Sequence, residues 1–450
     1  MLPRIVTHPP GPESRRLAED LARFEAPAVS GICTGDIPIV WARARDANVT
    51  DADGNVYIDM TAGFGVASLG HANPRVMAAV RRQSRALVHS LGDVHPNGLR
   101  VALVKRLTEM APGTASKAVL LNTGADAVEF ALKTAVLHTG KTGVLAFEGG
   151  FHGQSYGALA VTHRESFRGP FKDQIFQGVA RSPFPYSYRR PNAMSIERHT
   201  EACLDTVERL LENPPEDVGP IGAAIVEPVQ GREGEIVPPA GFLPGLKERC
   251  ARRGVLLILD ELITGFGRTG KRFAAEHWGI EPDLLCAGKA LANGLPISAC
   301  TGRAEVMDAW RYEEGEAPHS STFMGNPLAA AAALATLDEH ERLDLPQRAE
   351  KMGAYATRRL RSLEQAHPLI GDVRGLGLML GIELVRDPDT KEPATMEARR
   401  VVEAALLHGV ILLAGGPHGN VLSLTPPLTI PRRELDYAID TIDACLRTVR

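Results

Sequence analysis

The sequence predicts an α/β protein whose larger domain is a mostly parallel sheet covered by helices, and three observations predict it. Apolar runs recur without polar alternation, helical stretches separate several of them, and 450 residues are enough for two or three domains. Strands that are apolar on both faces are typical of a parallel sheet buried on both sides. The runs lie at 118–121, 143–147, 222–226, 254–259, 284–287 and 297–301.

The remaining elements are expected to flank this sheet. The first 30 residues indicate an extended arm and a short helix, and an Asp-Gly turn within 41–59 predicts a hairpin. Helices are expected between the strands, for example at 127–138 and 242–253. A helix-rich stretch near 327–365 leads to apolar segments at 374–385, 409–413 and 420–424, then to a helix near 432–448. These last elements predict a smaller α+β domain.

We therefore expect three segments in the chain. Residues 1–75 form an N-terminal arm and a small-domain segment, residues 76–340 form the large domain, and residues 341–450 form the C-terminal small domain. The small α+β domain would then draw on both chain ends.

Composition excludes several classes of protein. With 44% hydrophobic and 23% charged residues, the chain is neither disordered nor fibrous. Lys and Arg total 50 against 54 Asp and Glu, which argues against a general nucleic-acid binder. No apolar run is long enough to span a membrane, and the first residues lack an apolar h-region, so we do not expect secretion. Six scattered cysteines without ligand spacing predict reduced thiols, no metal site and a cytoplasmic location.

Two charged residues follow apolar runs of the predicted sheet. Asp260 comes directly after 254–259, and Lys289 follows 284–287. Ligands of open α/β sheets bind at the carboxyl ends of strands. An amine and a carboxylate there suit pyridoxal phosphate, because the amine forms a Schiff base and the carboxylate keeps the ring nitrogen protonated. On the pair alone, a helix cap at Asp260 and a surface lysine at Lys289 remain open.

Three further features point to the same edge of the sheet. The small residues of 122–125 precede an amphipathic helix, where backbone N–H groups bind phosphate. Phe151 and His152 follow two glycines after 143–147, and Thr322 precedes a helix that starts with proline. The alternatives are an empty turn, a core phenylalanine and a simple helix cap.

Together these stretches resemble the class III aminotransferases (ornithine/4-aminobutyrate type), fold type I pyridoxal phosphate enzymes, over roughly residues 4–448. The most specific part runs from IVEPVQG through LLILDELITGFGRTGKRFAAEHWGIEPDLLCAGKALANGLPISA. The resemblance implies that Lys289 is the Schiff-base lysine and that Asp260 contacts the ring nitrogen. It implies a homodimer with shared sites, in which Thr322 holds the phosphate of the neighbouring subunit. The other residues assigned to the cofactor are Gly124, Ala125, Phe151, His152 and Glu227.

Departures from the family pattern concern the substrate. Glutamate-accepting members carry a second glutamate where this chain has Arg232, and an arginine for the α-carboxylate where it has Ser423. Serine cannot supply a charged bidentate contact. Arg232 is therefore either a substitute clamp or half of a surface ion pair. Phe64 matches a position that lines the substrate pocket.

The resemblance implies an aminotransferase that moves an amino group from an amine to a keto acid. The amine is expected to lack an α-carboxylate, as in an ω-amino compound, a diamine or an amino sugar. An amino acid or aminolactam racemase of the same fold is the alternative, and a non-catalytic pyridoxal phosphate-binding relative is more remote. Glu313, Glu314 and Glu316 are expected either to attract a cationic amine or to form a solvated loop.

Overall fold

The structure is a computed structural model that describes residues 1–28, 37–310 and 316–449. The chain divides into two compact units. The large unit comprises residues 74–347, and the terminal unit combines residues 1–73 with 348–450. Among the described residues, no helix has the length and apolar character that crossing a bilayer requires.

Helices and strands alternate through most of the described chain. The helices are α1 (Pro12–Phe24), α2 (Ala62–Gly65), α3 (Pro74–Ser84), α4 (Gly98–Met110), α5 (Gly124–Thr139), α6 (Tyr156–Val161), α7 (Glu165–Arg168), α8 (Ile196–Glu212), α9 (Phe242–Arg253), α10 (Ala304–Met307), α11 (Pro327–Arg342), α12 (Leu345–Glu364), α13 (Thr395–Leu407) and α14 (Arg432–Thr448). The strands are β1 (Trp41–Arg45), β2 (Asn48–Asp51), β3 (Val56–Asp59), β4 (Lys117–Leu121), β5 (Gly143–Phe147), β6 (Val179–Ser182), β7 (Ile221–Val226), β8 (Leu256–Asp260), β9 (Leu284–Ala287), β10 (Ser298–Gly302), β11 (Ile370–Leu376), β12 (Met379–Asp387), β13 (Glu392–Pro393), β14 (Val410–Ile411), β15 (Leu413–Gly415) and β16 (Val421–Leu424). Short 3-10 helices lie at Gly169–Phe171, Ala274–His277 and Lys289–Ala292.

The large unit contains a seven-stranded sheet in the order β4-β10-β9-β8-β7-β5-β6. Neighbouring strands from β9 to β6 are parallel, whereas β10 is antiparallel to both β9 and β4. β4 therefore runs in the same direction as β5 to β9, and the carboxyl ends of these six strands meet at one edge. The predicted mostly parallel sheet is confirmed.

Apolar side chains cover both faces of this sheet. On β7, Ile225 packs with residues of α5 and α6 on one face, and Val226 packs with residues of α8 and α9 on the other. Successive side chains of a strand point to opposite faces, so a doubly covered strand is apolar throughout. The absence of polar alternation in the sequence has this cause.

The terminal unit is built from both chain ends. β2 and β3 form the antiparallel hairpin that the Asp-Gly turn predicted. β14, from the C-terminal part, extends that sheet by pairing in parallel with β3. A second sheet has the order β11-β12-β16-β15, with β13 paired to β12. The mixture of antiparallel sheets and helices is the α+β arrangement that the sequence predicted.

Candidate active site

The site residues predicted in the large unit follow five strands whose carboxyl ends share one sheet edge. Residues 122–125 follow β4, Phe151 and His152 follow β5, and Glu227 follows β7. Asp260 is the last residue of β8, and Lys289 comes two residues after β9. Val226 pairs in register with Leu259, and Asp260 with Cys286. This register sets Glu227, Asp260 and Lys289 at the ends of three neighbouring strands.

Asp260 forms a buried pair with His152. Oδ2 of Asp260 lies 2.7 Å from Nδ1 of His152, and Oδ1 accepts the backbone N–H of Leu262 at 3.1 Å. An ionised carboxylate only accepts hydrogen bonds, so Nδ1 carries the proton and donates it. Two oxygens have about four acceptor positions, and these contacts occupy two. The aspartate is therefore anchored and can still accept from a ligand.

Thr162 anchors the backbone of His152. The backbone N–H of His152 donates to Oγ1 of Thr162 at 2.9 Å, and that hydroxyl donates to the carbonyl of Gly153 at 3.0 Å. Nε2 of His152 is buried and has no hydrogen-bond partner among the described residues. A buried polar atom of this kind calls for an explanation, and an absent ligand is one. Sequence reasoning missed Thr162, because a lone threonine ten residues after a histidine carries no signal.

Lys289 occupies a strained backbone position. It begins a 3-10 helix with φ of 41°, in the left-handed region that β-carbon sterics disfavour. Strain of about 1–3 kcal/mol is found at functional sites more often than elsewhere. Burial lowers the pKa of Lys289, and the carboxylates of Asp260 and Glu227 oppose that shift. The amine is thus neutral more often than an exposed lysine, as a catalytic amine requires.

Glu227 accepts two backbone hydrogen bonds, one of them from the loop that carries Phe151. Its Oε1 accepts the N–H of Phe151 at 2.9 Å, and its Oε2 accepts the N–H of Gly231 at 3.1 Å. Burial raises the pKa of Glu227, with Asp260 adding to the effect and His152 opposing it. These contacts make Glu227 a support for the ring of Phe151.

The start of α5 has the geometry of a phosphate site. Thr123 and Asp126 form a capping box, which satisfies the N–H of Asp126 and leaves those of Gly124 and Ala125 without an intrahelical partner. A β-carbon on Gly124 would lie 2.7 Å from Cδ1 of Leu262, so the leucine side chain would have to move to admit a larger residue. One on Gly153 would lie 2.8 Å from Cβ of Ala125, so the Phe151 loop closely approaches this helix end. Free N–H groups and the helix dipole favour a phosphate here.

Thr322 does not cap the following helix. Asn326 does so, since its Oδ1 accepts the N–H groups of Leu328 and Ala329. The helix-cap alternative for Thr322 is therefore wrong. Thr322 is exposed, as are Ser321 and Phe323. Asn122 nevertheless reaches this loop and donates to Oγ of Ser321 at 2.8 Å.

Arg232 lies beside Phe151. Its guanidinium carbon is 4.7 Å from the centroid of the Phe151 ring and 5.6 Å from that of Phe167. No carboxylate forms an ion pair with it among the described residues. The surface ion-pair alternative for Arg232 therefore finds no support in the structure.

Phe64 and Ser423, the other predicted substrate contacts, belong to the terminal unit. Phe64 lies in α2 with φ of 63° and is 66% exposed. Ser423 lies in β16, paired with Gly381 of β12 and Leu413 of β15. Glu313 and Glu314 lie outside the described residues, and Glu316 is exposed.

These residues fit pyridoxal phosphate. Phosphate-binding N–H groups, an aromatic ring, an anchored carboxylate and a partly neutral lysine are the groups that this cofactor needs from a protein. The fold and the site thus define a pyridoxal phosphate enzyme of fold type I.

Comparisons with known proteins give the family. The family model "Aminotransferase class-III" matches residues 33–446. A 4-aminobutyrate aminotransferase of Mycobacterium tuberculosis is 40% identical, with 98% of each chain covered. A leucine/methionine racemase of Thermococcus litoralis is 36% identical, with 92% of this chain and 91% of the relative covered. A solved amine transaminase from an uncultivated Pseudomonas species, described as PLP-bound, has a TM-score of 0.88 and 33% identity over 95% of this chain and 99% of its own.

The chain belongs to the class III aminotransferases. This confirms the family, the fold type and the pyridoxal phosphate cofactor that the sequence predicted.

Proposed function

We propose that this enzyme moves an amino group from an amine to a keto acid, with Lys289 as the catalytic amine and Asp260 as the partner of the cofactor's ring nitrogen. The observation that carries the proposal is the placement of both residues at neighbouring strand ends, with His152 holding Asp260 at 2.7 Å. When bound, pyridoxal phosphate supplies an electron sink for the C–H bond next to the substrate nitrogen.

Lys289 removes and returns the proton at that carbon. A general base must be neutral to accept a proton, and burial lowers the pKa of Lys289 in this direction. Lys289 has a left-handed backbone and lies two residues after the end of β9, at the sheet edge. The side chain thereby starts from a fixed point next to Asp260.

Asp260 would place its carboxylate beside the ring nitrogen of the bound cofactor. His152 donates to one oxygen and Leu262 to the other, which orients the carboxylate and leaves acceptor capacity for one further donor. Phe151, held by Glu227, provides an apolar face for the ring. Gly124 and Ala125 provide the N–H groups for the phosphate.

A homodimer with shared sites completes the proposal. Thr322 and Phe323 are exposed in the single chain, and the loop that carries them contacts Asn122 beside the phosphate-binding turn. A second subunit placed over this loop would bring Thr322 to the partner's phosphate. Static light scattering combined with activity assays tests this: isolated monomers are expected to be inactive.

A cytoplasmic location also remains a proposal.

We assign to the donor an amine without an α-carboxylate. Position 423 carries serine, which offers no charge to an α-carboxylate, and Phe64 presents an exposed aromatic ring. An ω-amino acid such as 4-aminobutyrate, the compound named for the mycobacterial relative, is the first donor to assay. The test is a panel of amines with pyruvate, and the expected result is one mole of keto acid consumed per mole of amine.

A racemase is the second candidate, favoured by the leucine/methionine racemase relative and by the serine at position 423. The two functions differ in one measurement. A racemase inverts an enantiopure amino acid without added keto acid, whereas a transaminase does not invert it and converts it into the corresponding keto compound when a keto acid is supplied. Rapid inversion without consumption of pyruvate would replace the first proposal by the second.

A further inference from the structure

The loop that carries Arg232 is fixed by several hydrogen bonds. The backbones of Gln230 and Ile236 exchange two bonds of 3.0 Å each. The N–H of Gly231 donates to Glu227, and Arg164 donates from Nη2 to the carbonyl of Arg232 at 3.3 Å. The side chain of Arg232 therefore starts from a well-defined backbone.

The guanidinium of Arg232 is positioned by two aromatic rings. Phe151 and Phe167 lie edge to face, 5.8 Å apart, and the guanidinium carbon is within cation–π distance of both. The two ring planes are inclined by 65°, and contact with the rings uses none of the guanidinium N–H groups as hydrogen-bond donors. The fork that binds a carboxylate in a bidentate way stays available.

Arg232 forms no ion pair among the described residues, although the carboxylate of Glu227 acts favourably on its charge. Two glutamates near it in the chain have other partners. Glu227 accepts the backbone N–H groups of Phe151 and Gly231, and Glu233 pairs with Arg164 at 3.7 Å. Burial and the neighbouring Arg164 lower the pKa of Arg232, and Glu227 opposes this shift. An anionic ligand would act in the same direction as Glu227.

Arg232 also lies within electrostatic reach of the reacting amine. Its charge contributes to the lowered pKa of Lys289, after the larger effect of burial. Because Arg232 contacts the ring of Phe151, whose loop approaches the phosphate-binding turn, an anion bound by Arg232 would lie at this part of the site.

We propose that Arg232 binds the carboxylate of the keto acid acceptor and so selects keto acids over simple aldehydes. The proposal rests on the transaminase function proposed above. It assigns to Arg232 the carboxylate contact that Ser423 cannot make.

The test compares two acceptors that differ in a carboxylate, pyruvate and propanal, in the holoenzyme. Arg232→Gln is expected to raise KM for pyruvate by about 10- to 100-fold, the usual range for losing a charged bidentate contact, and to change KM for propanal by less than about twofold. For Arg232→Lys we expect a KM for pyruvate between those of the wild type and Arg232→Gln, because lysine keeps the charge and loses the bidentate guanidinium contact. Calorimetric titration with propionate, which has a carboxylate and does not react, should show Kd rising by the same factor.

Arg432 provides a matched control in the terminal unit. Its guanidinium stacks on the ring of Tyr355 at 4.2 Å, and Arg432→Gln is expected to leave both KM values unchanged. An equal rise in both KM values for Arg232→Gln, or an unchanged KM for pyruvate, overturns the proposal. A wild-type enzyme that uses neither acceptor contradicts the transaminase function instead. Propionate binding then decides the role of Arg232: a weaker Kd in Arg232→Gln supports it, and an unchanged Kd overturns it.

Discussion

Two buried aspartates each hold a histidine in this protein, Asp260 in the large unit and Asp59 in the terminal unit. Each is the last residue of its strand, and their oxygens lie 2.7 Å and 2.8 Å from the histidine nitrogens of His152 and His71. The two pairs look alike in isolation, yet their remaining contacts differ.

The acceptor positions of the Asp59 carboxylate are filled by residues that follow it in the chain. The N–H and hydroxyl of Thr61 donate to Oδ1, and Gly63 and His71 donate to Oδ2, so four donors occupy the carboxylate. His71 packs edge to face on Trp41. Asp260 receives two donors among the described residues and lies next to Lys289. An Asp–His pair is thus a structural brace when its acceptors are filled, and part of a site when acceptors remain open beside a reactive group.

Replacing Lys289 would remove the reactive amine that distinguishes the surroundings of the Asp260–His152 pair from those of the Asp59–His71 pair. Lys289→Ala is expected to lower kcat by about four orders of magnitude or more, because catalytic amine and general base are lost together. Circular dichroism should show an unchanged fold. Lys105→Ala, whose side chain is 77% exposed in the wild-type protein, is the control and should retain full activity. A normal rate in Lys289→Ala would remove this residue from the mechanism.

Replacing each aspartate by asparagine tests the comparison directly. Asp260→Asn is expected to lower kcat about 10²- to 10⁴-fold, as for other positioned catalytic groups, with a small change in stability. Asp59→Asn is expected to lower the free energy of unfolding by about 1–3 kcal/mol, since an amide cannot accept from four donors, while kcat of the folded enzyme stays constant. Denaturant titration and steady-state kinetics measure the two quantities. A loss of kcat in Asp59→Asn without destabilisation would refute the distinction.

Charges around Lys289 should shift its titration in opposite directions. Arg232 lowers the pKa of Lys289, so Arg232→Gln raises it and moves the acid limb of amine reactivity to higher pH. Glu227 raises that pKa, so Glu227→Gln moves the limb to lower pH. The measurement is the pH profile of covalent cofactor capture by the apoenzyme, followed by absorbance, because only the neutral amine reacts. Shifts of the same sign in both variants would contradict the electrostatic description of the site.

The smallest effect on kcat is expected for Thr162, which supports Asp260 only through His152. Thr162→Val removes the acceptor of the His152 N–H and should lower kcat several-fold, with a loss of about 1–3 kcal/mol in stability for an unsatisfied buried group. Thr206, a half-buried helical threonine whose hydroxyl donates to the carbonyl of Ala202, serves as the control through Thr206→Val. No change in either quantity for Thr162→Val would show that the Asp260–His152 pair needs no support.

The sequence predicted the central strands well because their apolar runs reflect burial on both faces. Predicted runs at 143–147, 222–226 and 284–287 correspond closely to β5, β7 and β9. β6 was missed, since Val179–Ser182 is short, contains an arginine and lies at the sheet edge. The reversed direction of β10 was missed too, because an apolar run looks the same in either direction.

The site was predictable in its residue types and not in its contacts. Asp260 and Lys289 follow strands, and their chemistry is evident from that position. The partner of Asp260 is 108 residues earlier in the chain, and no spacing rule joins them. The sequence leaves two roles open for Arg232, a substrate clamp or half of a surface ion pair, because it does not show which charges meet.

The sequence by itself determined the fold class, the family and the groups that handle the cofactor, since burial patterns and residue chemistry are local properties of the chain. Tertiary structure decided which of two similar Asp–His pairs keeps open acceptors, how burial and neighbouring charges shift the pKa of Lys289, and where the charge of Arg232 lies. These depend on distances between residues far apart in the chain, because electrostatic and hydrogen-bond energies act through space and are set only when the strands assemble.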